Sequence, residues 1–135
     1  MTQGSLIFFF SILLGILPSE NTYFQSELSI SPKIHFIQNT DHVILEPWAI
    51  NSTNNEQNLL TYSFTVQKKG TSGTSTSKQS GQFSVAPNDS LKLSTVKLHA
   101  SKGDTYYTEL KILKSNELLI QKRKEFTLAV KKTDN

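Results

Sequence analysis

Gly70 to Lys111, GTSGTSTSKQSGQFSVAPNDSLKLSTVKLHASKGDTYYTELK, decides the fold class. Serine, threonine and β-branched residues dominate it, and the turn sequences Ala86-Pro87-Asn88-Asp89 and Ser101-Lys102-Gly103-Asp104 divide it into short runs. Apolar residues recur at every second position, not at the three-to-four spacing of a helix, which predicts strands. In the first run, from about Ser75 to Val85, Phe83 and Val85 point inward behind a polar first half. In the next, Leu91 and Leu93 share a face that Val96 and Leu98 then take over, so a bulge is expected near Ser94-Thr95. In the third, Tyr106, Thr108, Leu110 and Ile112 line one face.

The pattern extends in both directions. Upstream, Leu60, Tyr62, Phe64 and Val66 alternate with Thr61, Ser63, Thr65 and Gln67, the signature of a half-buried antiparallel strand ending at Lys68-Lys69-Gly70. Before it lie Lys33–Gln38 and His42–Ile50. Pro47 has no N–H to give a ladder, so the second of these is expected to be bulged or at an edge there. Downstream, Lys114-Ser115-Asn116 turns into a last strand over Glu117–Val130. About seven strands at this spacing, with no helical periodicity, predict an all-β, immunoglobulin-like sandwich over residues 28–130. Trp48 is expected as a core plug between its sheets.

The 135-residue chain has a net charge of +3 and no cysteine. One domain is expected, without disulfide, thiolate metal site or thiol nucleophile. The charge is too dilute for a nucleic-acid footprint. Leu6–Leu17, LIFFFSILLGIL, is shorter than the ~20 apolar residues of a membrane span and suits a signal peptide. Residues 1–19 are read as that leader, 20–27 as a polar tether and 131–135 as a tail. The expected location is the periplasm, with no stable membrane association once the leader is removed.

Catalytic and cofactor motifs do not emerge. Gly70–Ser77 lacks the Gly-Lys-Ser/Thr of a phosphate loop and reads as a hairpin connection or the start of an edge strand. His35, His42 and His99 lack zinc-site spacing, and no serine sits in a Gly-x-Ser-x-Gly elbow. Asn51-Ser52-Thr53 and Asn88-Asp89-Ser90 match the glycosylation pattern, which short segments do by chance.

Glu46-Pro-Trp-Ala49, Lys68-Lys69-Gly70, Thr71-Ser-Gly-Thr-Ser75, Lys78-Gln-Ser-Gly-Gln-Phe83, Leu93-Ser-Thr-Val96 and Gly103-Asp104, in this order and spacing, resemble the CsgH type of curli assembly chaperone, a relative of CsgC. The resemblance runs from about Lys33 to the last strand. It implies a periplasmic, non-enzymatic sandwich that keeps an amyloid-forming curli subunit from polymerising early, by transient non-covalent contact and without a cofactor. The CsgC branch carries a Cys-x-Cys pair; with no cysteine here, the CsgH branch is the one resembled and a redox role is excluded. The implied partner is a curli-type subunit, acidic or neutral and Gln/Asn-rich, and the chain itself is expected to be a monomer or weak homodimer.

Such a client can be held by strand addition at an edge or by charge on a face. Lys68, Lys69, Lys78, Lys92, Lys97 and Lys111 are candidates for a basic client-binding face, against the alternative of scattered solubility charges. Lys122 and Lys124 interrupt the apolar parity of Leu118, Ile120, Phe126, Leu128 and Val130, and Lys122, Arg123 and Lys124 are candidates for guarding an edge, against the alternative that the lysines simply snorkel. A competing function is a secreted adhesion or ligand-binding module, which would expose Tyr106 or Tyr107 beside Trp48.

Overall fold

The computed structural model describes residues 30–71 and 73–128, so the expected leader, tether and tail lie outside the described residues. Eight strands follow in chain order: β1 (Ile30–Gln38), β2 (His42–Asn51), β3 (Gln57–Gly70), β4 (Gly73–Val85), β5 (Ser90–Lys92), β6 (Val96–His99), β7 (Thr105–Lys114) and β8 (Glu117–Thr127). Sheet A places β2 between β1 and the pair β5 and β6; sheet B runs β4-β3-β7-β8. All pairings are antiparallel.

The expected sandwich is thus present, with one strand more than predicted. Where a bulge was expected at Ser94-Thr95, the strand breaks into β5 and β6, both of which pair with β2. Pro47 explains the break. It lies in a central strand, not at an edge, and its missing N–H is set against the interruption, where its carbonyl accepts from the Leu93 N–H at 2.8 Å. The neighbouring chain yields, and β2 stays regular along its pairing with β1.

The core is built from the inward phases. Leu60, Phe64 and Val66 of β3 meet Tyr106, Leu110 and Ile112 of β7 within sheet B, and Val43, Leu45 and Ala49 of β2 cover them from sheet A. β3 and β7 follow their sequence alternation residue for residue. The last strand does not. Its register shifts between Ile112 and Leu113, turning Leu118 outward to 51% exposure, while Ile120 keeps the inward phase. The preceding turn, Ser115-Asn116, has both residues at left-handed φ of 52° and 66°, the two-residue geometry that matches strand twist.

Trp48 corrects the expectation of a core plug. Val43, Leu45, Pro47, Ala49 and Asn51 are the buried phase of β2, so Trp48 lies half-buried on the outer face of sheet A. Phe64 and Tyr106 are the large aromatic side chains that fill the interior.

Candidate functional site

The outer faces and the edges of the two sheets are the surfaces available for a partner. On sheet A, Trp48 sits in register between Lys33 of β1 and Lys92 of β5. Lys92 reaches Glu46 at 3.4 Å. The His35 ring lies 5.6 Å from the Trp48 ring, and the two line a cleft of about 170 Å³ with Lys33, Ile50 and Ser90. The indole Nε1 is buried and has no hydrogen-bond partner among the described residues. Ile44, between Ile37 and Lys97, continues this face. His42 and His99 pair directly at its end, so all three histidines of the chain share it. His42 also bonds Asp41 at 2.8 Å, which holds the Asp41 carboxyl below the usual carboxylate range.

The outer face of sheet B is different in kind. Thr61, Ser63, Thr65 and Gln67 of β3 lie beside Gln82, Ser80, Lys78 and Thr76 of β4, a polar surface of hydroxyls and amides. Across β7, Glu109 accepts from Arg123 Nε at 2.7 Å and Gln121 Nε2 at 2.8 Å, with Lys111 at 3.8 Å. Tyr107 is 41% exposed, and the Lys69 ammonium stands 5.5 Å from its ring centre. A shallow cleft of about 510 Å³ opens beside it, lined by Thr65, Gln67, Glu109 and Arg123.

These placements divide the predicted lysines. Lys69, Lys78 and Lys111 share the outer face of sheet B, with Lys78 about 12–15 Å from each of the other two and Lys69 about 20 Å from Lys111 by strand geometry. Lys92 and Lys97 point from the opposite side of the sandwich. Lys68 is on neither face: it lies on the inward phase at the end of β3 and donates to the His99 carbonyl at 3.1 Å. One continuous basic face made from all six is therefore absent. The aromatic patch expected of an adhesion module does not form either. Tyr106 is fully buried, and Tyr107 is on the sheet opposite Trp48.

The Lys122-Arg123-Lys124 run lies on β8, an edge of sheet B. Lys122 pairs with buried Leu110 and Lys124 with buried Thr108, so both occupy the inward phase at the rim, while Arg123 is outward. Inward-phase charges on an edge oppose strand addition, because a neighbouring strand would bury them. The Lys124 ammonium leans over the Phe126 ring at 5.5 Å, as a snorkelling side chain does.

Two structural residues escaped the sequence reading. Asn51 is buried, and its amide donates to Asn55 O at 2.8 Å, Ala86 O at 3.0 Å and Val85 O at 3.2 Å. Its Oδ1 accepts from Thr53 N at 3.0 Å and Thr53 Oγ1 at 2.7 Å. The apparent sequon is a clasp that ties the β2–β3 loop to the end of β4. The available signal was the Asn-x-Thr spacing of an Asx turn at a strand end. Asp104 is fully buried, accepts from Ser101 N at 2.9 Å and leaves Oδ1 without a partner among the described residues.

Several known proteins share this architecture. The solution structure of R. palustris CsgH superposes with a TM-score of 0.57 at 22% identity, over 70% of this chain and 89% of that one. The E. coli curli protein CsgC superposes with a TM-score of 0.56 at 17% identity, over 73% of this chain and 98% of that one. No curated protein matches the chain. The family model described as CsgH protein matches residues 42–123, more than half of the sequence. That stretch runs from the start of β2 into β8 and takes in both sheet faces, so the chain is a member of the CsgH family.

Proposed function

We propose that this protein is an exported, non-enzymatic chaperone that delays polymerisation of a curli-type fibre subunit through brief contact with the outer face of sheet B. Family membership, together with the naming of the neighbour CsgC as a curli protein, supports the curli link and a periplasmic location. The observation that carries the choice of face is the joint placement of Lys69, Lys78 and Lys111 over a carpet of threonine, serine and glutamine. The surface is mostly polar, and the cleft beside Tyr107 is shallow and open to solvent. It offers positive charge and many hydrogen-bonding groups, which suits an unfolded, neutral or acidic chain that must be released again. Catalysis is not required: cross-β growth stops if the earliest strand-like conformers are occupied.

The test is thioflavin fluorescence during polymerisation of the curli major subunit from the same genome, with the protein in its exported form added well below equimolar amounts. A lengthened lag is expected. Lys69→Glu, Lys78→Glu and Lys111→Glu together should shorten it, as should added salt, because exposed charges are screened beyond about 8–10 Å at physiological ionic strength. The matching reversal on the opposite face, at Lys33, Lys92 and Lys97, should leave most of it. No delay at equimolar ratio would sink the chaperone reading. Loss only with the sheet A reversal would move the contact to the Trp48 face.

A further inference from the structure

The sandwich has four edges, and three carry visible obstacles to a further strand. β8 has Lys122 and Lys124 on the inward phase. β1 contains Pro32 and lies against β8 at the mouth of the sandwich, where the Phe36 and Phe126 rings stack at 4.4 Å. The β5–β6 side is two strands of three and four residues with a break between them. β4 has none of these. It runs 13 residues from Gly73 to Val85, contains no proline and a single charged residue, Lys78, and pairs with β3 without irregularity from Gly70↔Gly73 to Leu60↔Phe83. Its far side meets no strand among the described residues. In an antiparallel ladder alternate residues turn N–H and C=O away from the partner, so about half of β4 presents unpaired main-chain groups in a regular row. Folded proteins ordinarily blunt an edge of this length.

We infer that the free rim of β4 is a strand-docking site, which takes an extended, uncharged or acidic segment of the client in main-chain register. This rests on the chaperone reading and says where the client backbone goes. The side chains of β4 fit that occupant. Thr76, Ser77, Gln79, Ser80 and Gln82 are small or hydrogen-bonding and leave room for polar neighbours on either face of an added strand. Lys78, with Lys69 and Lys111 on the same face, disfavours a basic segment. It also disfavours a second copy of this chain, since a two-fold between two β4 strands brings both Lys78 side chains onto one sheet face near the axis. The pairing is brief by construction. Its main-chain bonds gain little more than the ordering of the segment costs, and the central part of β4 has no apolar side chain to add to them.

Two measurements test this. Residue-resolved amide exchange is followed on the exported protein alone and with excess monomeric curli major subunit. Exchange should slow severalfold at every second residue between Thr74 and Ser84, with β8 and β1 unchanged. In parallel, Ser77→Lys with Gln79→Lys puts lysines on the inward phase of β4, copying β8. At least fivefold more protein should then be needed for the same delay of polymerisation, whereas Thr76→Lys with Ser80→Lys, equal in charge but outward beside Lys78, should be at least as potent as the parent. If the parent delays polymerisation, the inward-lysine variant is folded by circular dichroism and equally potent, and β4 shows no alternating protection, the docking site is wrong and the chaperone reading stands. Alternating protection without any delay would leave the docking site and remove the chaperone reading. Protection that appears without subunit and rises with protein concentration would make the occupant a second copy and overturn the proposal.

Discussion

Replacing Asn51 by alanine should be among the costliest single polar substitutions in this protein. The side chain makes five hydrogen bonds, three donated and two accepted, and all of them disappear. Val85 O loses its donor in a buried setting, which costs about 1–3 kcal/mol for an orphaned acceptor. The groups on Asn55, Ala86 and Thr53 are partly solvated and recover water, so each adds only a few tenths. The sum is about 2–4 kcal/mol, a large share of the 5–15 kcal/mol typical of a domain. For a sandwich of this size that lowers Tm by about 10 °C or more. Urea unfolding followed by circular dichroism gives the free energy directly, and the slope should not change because the surface exposed on unfolding is the same. Asn51→Asp is the informative control. It keeps the shape and the two accepted bonds but points a carboxylate at three carbonyls, so it should destabilise at least as much as alanine. A loss below about 0.5 kcal/mol for alanine, at unchanged slope, would refute the clasp and return Asn51 to the surface class in which substitutions are near neutral.

Other outcomes are expected from the same structure. Gly70→Ala would drive its new Cβ into the Asp104 carboxylate and displace it from Ser101 N, so thermal unfolding should move down by several degrees, and Asp104→Ala combined with it should restore part of the loss. Trp48→Ala should cost about 1–2 kcal/mol, because the ring is half-buried on an outer face, against about 3–5 kcal/mol for Phe64→Ala in the core; equal losses in denaturant unfolding would return Trp48 to the interior. Burial, with the nearby Asp104 charge, pushes the Tyr106 phenol up to about 12 from an ordinary value of 10.0. The folded state therefore favours the neutral phenol. Stability is full below pH 10, where the unfolded phenol is protonated too, and falls as pH rises from 10 towards 12 because the unfolded chain ionises first. Tyr106→Phe should flatten that part of the alkaline unfolding curve.

The two strands with clean alternation, β3 and β7, were fully legible, because one face is core and the other is water. β2 was legible as a strand but not in its orientation. Val43 and Leu45 point inward while Ile44, Trp48 and Ile50 point outward, so both phases are apolar and the largest residue was assigned to the wrong one. Leu118 was misplaced because a register shift costs one residue and no composition marks it. The lysines illustrate a different barrier. Alternation along one strand tells which residues leave the core, but it does not tell which of two sheets the strand joins. Lys111 went to sheet B and Lys92 to sheet A through pairings between strands far apart in sequence. Main-chain geometry at Pro47 was legible as a problem; that its neighbour, not β2, would break was not.

The two hairpins of sheet B have a consequence for the order in which the chain folds. β3 joins β4, and β7 joins β8, through connections of only two residues, from Gly70 to Gly73 and from Lys114 to Glu117. Sheet A must bring Trp48 to Lys92 across a long intervening chain. Closing short loops loses the least entropy, so these hairpins are the natural nucleus, and local contacts of this kind set folding speed. Substitutions at the β3–β4 turn should slow folding, while those in β5 or β6 should mainly hasten unfolding. During that interval β4 already stands as the outer rim of a lone hairpin, and its serine, threonine and glutamine side chains give neighbouring chains no greasy border to adhere to while the second sheet arrives.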